Sequence, residues 1–402
     1  MFQISEKMRN LPPYLFAEID KKRKQLVAQG RQVISFGVGD PDMPTPERIV
    51  EAMRKAVKDP SVHRYPFGKG RLDFRKAIAN YYKKYSDVDL DCEREICVLI
   101  GSKEGIAHFP FAFVNPGDVT LVPEPGYPVY QIGTILAGGI PYFMPLKEEN
   151  NFLPDFGKIP YEILDRAKIM YLNYPNNPTA ACADVDFLKE AIEFCKKRGI
   201  IIVYDAAYHE LYFDGKRPVS FLSIPGARDI GIEIHSLSKT YNMTGWRIGW
   251  ACGNEELVAT IATLKENIDS GTFEAIQIAG IESLSGPQDD VKKMRNIYQR
   301  RRDILVDGLK NLGFKVIIPR ATFYLWLAVG CDSLSFAEKL LMKANIIVTP
   351  GVGFGPSGEG YVRFALTIDE AKIKLAIEKM KSVIQGGDDG KSEGCLNSWK
   401  SK

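Results

Sequence analysis

Cysteine and histidine are scarce in this chain, and so is any bias of charge. Seven cysteines and four histidines in 402 residues form no Cys-x-x-Cys pair and no Cys/His cluster, which argues against structural zinc or another metal centre built from those ligands. An odd, scattered set of thiols fits a reducing compartment better than a disulfide-stapled secreted domain. No apolar run reaches membrane-spanning length, and the N-terminus lacks the pattern of a secretory leader. The chain therefore reads as cytoplasmic, with no membrane partner. The 53 basic and 50 acidic residues leave a formal charge of +3, which gives no electrostatic case for nucleic acid. Arg300-Arg301-Arg302 is the densest basic spot, lies in a helical stretch (Val291 to Leu309), and reads as a solvated helix face. No internal repeat is present.

What remains is an ordinary globular composition, 45% hydrophobic and 26% charged, long enough for a large core split into two lobes. Short apolar runs alternate with amphipathic helical patterns, the signature of an α/β domain with a mainly parallel sheet. Strands are expected at Ile96–Ile100, Val119–Pro123, Ile140–Met144, Ile169–Leu172, Ile200–Tyr204, Ile232–His235 and Ile248–Ala251. Helices are expected at Thr45–Lys58, Gly70–Tyr85, Lys103–Phe113, Val185–Lys197 and Glu255–Ile268. A second α/β region should follow, with strands Phe314–Ile318, Tyr324–Ala328, Ile346–Thr349 and Tyr361–Ala365 and a closing helix Asp369–Ile384. The expected division is a large domain over 45–285 and a small one over 286–385. Residues 1–44 should pack with the small domain, and the polar, Gly-rich 386–402 read as a disordered tail.

Chemistry concentrates just after strand ends, where open α/β sheets bind ligands. In His235-Ser-Leu-Ser-Lys-Thr-Tyr-Asn-Met-Thr-Gly-Trp-Arg-Ile-Gly249, Lys239 stands between two hydroxyls (Ser236, Ser238) and a guanidinium (Arg247). A lysine that attacks a carbonyl must be partly desolvated and near groups that favour its neutral amine. The hydroxyls and guanidinium suit a phosphate monoester. Together these point to pyridoxal phosphate held on Lys239. Asp205 ends the apolar run Ile200-Ile-Ile-Val-Tyr204 and can keep a pyridine nitrogen protonated, while Asn177 and Tyr208 can hydrogen-bond the ring oxygen. Gly101-Ser102-Lys103 sits where strand hands over to helix, so its N–H groups can bind phosphate. Gly351-Val-Gly-Phe-Gly355 lacks the strand–helix context of a dinucleotide fingerprint and reads as a loop near the site. Arg363 lies on an apolar strand, where a planar fork can take a substrate carboxylate.

The lysine segment Ser236-Leu-Ser-Lys-Thr-Tyr-Asn-Met-Thr-Gly-Trp-Arg-Ile-Gly249, with its upstream Asn-Pro and Asp-x-x-Tyr, resembles that of the class I/II aminotransferases, pyridoxal phosphate enzymes of fold type I. The likeness runs from about Leu11 to about Val383. Leu11-Pro-Pro-Tyr-Leu-Phe-Ala-Glu-Ile19, Gly37-Val-Gly-Asp-Pro-Asp42 and Gly101-Ser-Lys-Glu-Gly105 resemble the LL-diaminopimelate aminotransferase branch. The resemblance implies a large domain with a mainly parallel seven-stranded sheet, and a smaller α/β domain formed from both termini. It also implies that Tyr127 stacks on the cofactor ring and that Gly39 helps hold the substrate carboxylate. Tyr65 would reach the phosphate of a second subunit, so the enzyme would be a homodimer with shared sites. Tyr14 and Lys103 match positions lining the substrate site in that branch. Ser270, from the partner, stands where better-known members have asparagine.

The implied reaction is a ping-pong exchange of an amino group between amino acids and 2-oxo acids, with glutamate/2-oxoglutarate and LL-2,6-diaminopimelate/tetrahydrodipicolinate as the pair, a step of lysine biosynthesis. A broad alanine, aspartate or aromatic aminotransferase and a C–S lyase of the same fold stay open. A silent regulator with this domain is disfavoured, since no helix-turn-helix region fits before Gly37.

Overall fold

A computed structural model describes residues 2–12 and 15–385; Tyr14 and the tail 386–402 lie outside the described residues. Twelve strands follow in chain order among them: β1 (Ile34–Ser35), β2 (Ile96–Leu99), β3 (Val119–Glu124), β4 (Ile140–Pro145), β5 (Ala167–Asn173), β6 (Ile201–Asp205), β7 (Gly231–Ser236), β8 (Gly249–Gly253), β9 (Tyr324–Ala328), β10 (Ile346–Ile347), β11 (Thr349–Pro350) and β12 (Tyr361–Ala365). Strands β2 to β8 form one sheet in the order β2-β8-β7-β6-β5-β3-β4. All neighbours from β7 to β4 are parallel, and β8 alone runs antiparallel, to both β2 and β7. These are the seven strands expected from the sequence, with ends moved by at most two residues.

They are legible because both faces of the sheet are covered. In β5, Ile169 and Tyr171 join one apolar layer, Met170 and Leu172 the other; in β6, Val203 opposes Ile202 and Tyr204. A strand buried on both faces reads as a continuous apolar run. Helices Ser102–Phe113 and Glu255–Ile268 close one layer, Leu72–Ser86 and Val185–Lys196 the other. Among the described residues no helix is long and apolar enough to cross a membrane.

The second lobe is built on the antiparallel sheet β11-β12-β9 and the parallel pair β1-β10. Its core joins Phe36 to Tyr298, Leu309, Leu325, Phe364 and Ile373, so both ends of the chain contribute. Three expectations are corrected. Phe314–Ile318 is not a strand: Phe314 is buried and its N–H returns to Leu309 O at 3.0 Å, while Ile317 and Ile318 stay half exposed and no described strand pairs with them. Ile346–Thr349 breaks at Val348 into β10 and β11, which serve different sheets.

The third concerns Arg300-Arg301-Arg302 on helix Asp289–Asn311. Only Arg300 faces solvent; Arg301 and Arg302 are buried. Arg301 grips Asp42 with both nitrogens (2.7 and 2.8 Å) and Arg302 grips Asp214 (2.7 and 3.1 Å). Planar forks on carboxylates let a guanidinium leave water, and the partners lie far away in sequence.

The same helix packs on Glu370–Gln385 at Gly308. A Cβ there would stand 2.3 to 2.9 Å from three side-chain atoms of Ile377. Alanine normally favours a helix by about 1 kcal/mol over glycine, yet overpacking costs about 1–3 kcal/mol. Gly308→Ala should therefore lower the melting temperature, and Ile377→Val in the same chain should recover part of the loss, read by thermal unfolding of the single and double variants.

Candidate active site

The carboxyl ends of β5, β6 and β7 open into a cavity of about 390 Å³. Twelve residues singled out in the sequence line it: Gly39, Ser102, Lys103, Tyr127, Asn177, Asp205, Tyr208, Ser236, Ser238, Lys239, Arg247 and Arg363. Val38, Asn173, Ala207, Thr244 and Tyr324 line it too, and none of these was singled out.

One end is an anion cup. Gly101, at φ 74°, caps helix Ser102–Phe113, and a Cβ there would stand 2.3 Å from Arg247 Nη2. A Cβ on Gly249 would meet His235 O at 2.4 Å and Ser102 N at 3.1 Å, so the two glycines let β8, the helix start and the guanidinium converge. Ser236 Oγ accepts the Ser238 N–H at 3.1 Å, while the buried Ser238 Oγ has no hydrogen-bond partner among the described residues. An unsatisfied buried hydroxyl is unfavourable, and here it points to a ligand oxygen. Helix N–H groups, hydroxyls, Lys103 and Arg247 form a donor set that fits a phosphate monoester.

Lys239 lies on the cavity floor, its Nζ 3.2 Å from Gly39 O. Burial, with help from Arg247 and Arg363, pulls its pKa down to about 8, against an opposing pull from Asp40. Asp205 ends β6 beside Asn173, its register partner at the end of β5. Asn173 Nδ2 donates to Asp205 O at 2.9 Å, Ala207 N–H to Oδ1 at 3.1 Å, and the buried Tyr130 hydroxyl to Oδ2 at 2.8 Å. Burial pushes the carboxyl up to about 6, and the last two donors hold it back from rising further. Tyr130 was missed in the sequence. Its signal is its place three residues after Tyr127, in the first turn of helix Val129–Ala137, where the two rings meet edge-on at 6.0 Å.

The other end is built around a buried guanidinium. Arg363 is buried; its Nη1 donates to Asn177 Oδ1 and its Nη2 to Gly37 O, both at 2.8 Å. The guanidinium lies 4.2 Å from the Tyr324 ring and 4.7 Å from Phe354, which places the Gly351–Gly355 loop against the site. With Asn177 Oδ1 engaged, its Nδ2 is the group that can donate to a ring oxygen. Tyr208 Oη is 3.0 Å from Tyr324 Oη.

Tyr65 and Ser270 are not in their own chain's cavity. Tyr65 is exposed beside Phe67, and Ser270, at φ 60°, follows Asp269. Lys265 holds Asp269 and Glu104 at 3.0 Å each, so the carboxylates that converge there with His108 surround an ammonium group. The two segments meet: a Cβ on Gly271 would stand 3.7 Å from Pro66. One surface therefore carries both residues.

An amine lowered toward neutrality, an anion cup beside it and a buried carboxylate across the same cavity are what an enzyme working through pyridoxal phosphate needs. Comparison with known proteins gives the same class: the model of the family described as Aminotransferase class I and II matches residues 31–380. The chain belongs to that family and is a pyridoxal-phosphate-dependent transaminase of fold type I. It is 52% identical over 384 residues to the LL-diaminopimelate aminotransferase of Moorella thermoacetica, covering 95% of this chain and 98% of that one. The protein of the same name from Aquifex aeolicus is 52% identical over 385 residues, covering 95% and 100%. Among solved structures, apo BacF from Bacillus subtilis superposes with a TM-score of 0.92 at 36% identity, over 95% of this chain and 98% of that one.

Two measurements follow. The neutral amine of Lys239 becomes the main form above about pH 8, so capture of pyridoxal phosphate by the cofactor-free protein should accelerate with pH and level off just above 8. An ordinary lysine would still be gaining at pH 9; stopped-flow absorbance separates the two. Asp205 titrates near 3.8 when unfolded and about 6 when buried. The unfolded state therefore releases its proton first, and stability falls as pH rises between those values, by on the order of 2–3 kcal/mol. Cofactor-free Asp205→Asn should be more stable than the parent by that order at pH 7 and by little at pH 4, measured by urea unfolding.

Proposed function

We propose that this transaminase moves an amino group from glutamate to tetrahydrodipicolinate, giving 2-oxoglutarate and LL-2,6-diaminopimelate, in lysine biosynthesis. The observation that carries this reading is the full-length likeness, at about half identity, to proteins named LL-diaminopimelate aminotransferase. The fold does not decide the substrate, since solved structures as similar as a TM-score of 0.87 include one titled a probable N-succinyldiaminopimelate aminotransferase.

In this reading the residues divide the work along the cavity. The Gly101–Lys103 helix start, Ser236, Ser238 and Arg247 hold the phosphate, and Tyr127 packs against the ring. Bound there, pyridoxal phosphate supplies a carbonyl for the amino group and a sink for electrons. Asp205 keeps the proton on the ring nitrogen, while Tyr208 and Asn177 Nδ2 donate to the ring oxygen. Arg363 takes the α-carboxylate on its fork, next to the Gly39 backbone, which fixes the substrate's Cα above Lys239. The Lys239 amine, neutral near pH 8, then moves the Cα proton. Lys103 and the partner's counterpart of Ser270 serve the distal end.

We also assign the face that carries Tyr65 and Ser270 to a second copy of the chain, each copy completing the other's cavity. Phe67, Ile268 and Phe273 are exposed beside them, an apolar patch of the kind that marks an interface. The reading places the dimer in the cytoplasm.

The test is a single half-turnover followed by the cofactor's absorbance. LL-diaminopimelate and glutamate should react quickly, and alanine, aspartate, phenylalanine and the meso isomer roughly a hundredfold or more slowly, because polar groups built for a distal ammonium and carboxylate are left unpaired by the wrong side chain. Similar rates for alanine and LL-diaminopimelate would move the assignment to a broad-specificity aminotransferase.

A further inference from the structure

We propose that Tyr324 is a positioning residue: its hydroxyl donates to the oxygen of Tyr208 and turns the Tyr208 proton toward the ring oxygen of the cofactor, so the seating of the small lobe sets the strength of that hydrogen bond. The inference rests on the pyridoxal phosphate reading of the cavity and goes beyond it, since Tyr324 has no role in that reading.

The bond crosses the two lobes. Tyr208 lies in the turn after β6, and Tyr324 opens β9 of the small lobe, with the two oxygens 3.0 Å apart and buried. A phenol carries one proton, so in such a pair one hydroxyl donates and the acceptor's own proton is left for a third group. Two features favour Tyr324 as the donor. The Arg363 guanidinium lies 4.2 Å from its ring, and a cation against a phenol ring strengthens its O–H as a donor and weakens its oxygen as an acceptor. Both phenols line the cavity that takes the ring, and in the cofactor reading it is the Tyr208 proton that has the anionic ring oxygen to meet.

Tyr324 is also held firmly. Its N–H donates to Thr322 Oγ1 at 3.0 Å, and its ring stands edge-on to Tyr208 at 5.5 Å and to Phe323 at 4.8 Å. Its hydroxyl fills the space of any Cβ at Gly39, 2.1 Å away. One phenol therefore touches the Arg363 guanidinium, the glycine that borders it and the donor to the ring. Hydrogen bonds in series polarise one another, so the Tyr324 bond should be felt at the ring oxygen.

Tyr324→Phe keeps the ring, the edge contacts and the guanidinium contact and removes only the hydroxyl. Two readouts are independent of turnover: the dissociation constant of pyridoxal phosphate, measured by equilibrium dialysis, and the pH midpoint of the visible band of the bound cofactor. The expected result is binding about three- to tenfold weaker and a midpoint moved upward, because a ring oxygen with a poorer donor is a stronger base. In a Tyr208→Phe background the same substitution should change neither quantity. Equal effects in both backgrounds, or no effect in the single variant, overturn the inference while leaving the cofactor reading intact. If the unaltered chain develops no visible band with pyridoxal phosphate, the cofactor reading fails and this inference fails with it.

Discussion

A positive charge taken out of water where the lobes meet organises this molecule. Arg363 sits on a strand of the small lobe with its guanidinium buried, and burial alone would make that arrangement costly. The structure supplies fixed acceptors from separate parts of the chain, Gly37 O from the N-terminal segment and Asn177 Oδ1 from the large lobe, with Tyr324 and Phe354 as flanking rings. The N-terminal segment is tied down around the same point, by Thr349 Oγ1 to Gly37 O, Thr367 Oγ1 to Val38 O and the Asp42 fork on Arg301. Gly39 therefore rides with the small lobe, and its carbonyl rests on Lys239 of the large one. Much of the interlobe geometry can be traced from that single charge.

The sequence revealed the parts of the structure whose cause is local. Six of the seven strands of the large sheet are buried along nearly their whole length, β4 excepted, and the reactive groups sit at the ends of β5, β6 and β7, so strand and site could be read together. The lysine segment, Asp205 and Asn177 carry their chemistry in their immediate neighbours. What escaped depends on contacts between distant segments. Helix Glu274–Ser285 scatters Glu274, Gln277, Glu282 and Ser283 among its apolar residues and has no amphipathic period to betray it. Arg301 and Arg302 look like surface charges until Asp42 and Asp214 fold against them. Phe314–Ile318 alternates like a strand but lacks a neighbouring strand to complete a ladder. Tyr324 has no local signal at all, since its importance comes from what β12 and the Tyr208 turn bring to it.

Asp205 shows how stability and chemistry oppose each other here. A buried carboxyl resists ionisation, and among the described residues Tyr130 and the Ala207 N–H pull the other way. Such a group is poorly placed for the fold, a common compromise at sites that do chemistry. The apolar layers on either side of β6 supply the stability that makes it tolerable.

The contact between Tyr324 and Gly39 bears on how the sequence can drift. A side chain at position 39 cannot be accommodated while the phenol stands 2.1 Å from where its Cβ would be, whereas a smaller residue at 324 fits beside a glycine. The two positions are therefore ordered in evolutionary time: 324 must shrink before 39 can grow, and the reverse path passes through a chain whose cavity is disrupted. A lineage that keeps the tyrosine inherits the glycine with it, although nothing in the genetic code links two codons so far apart.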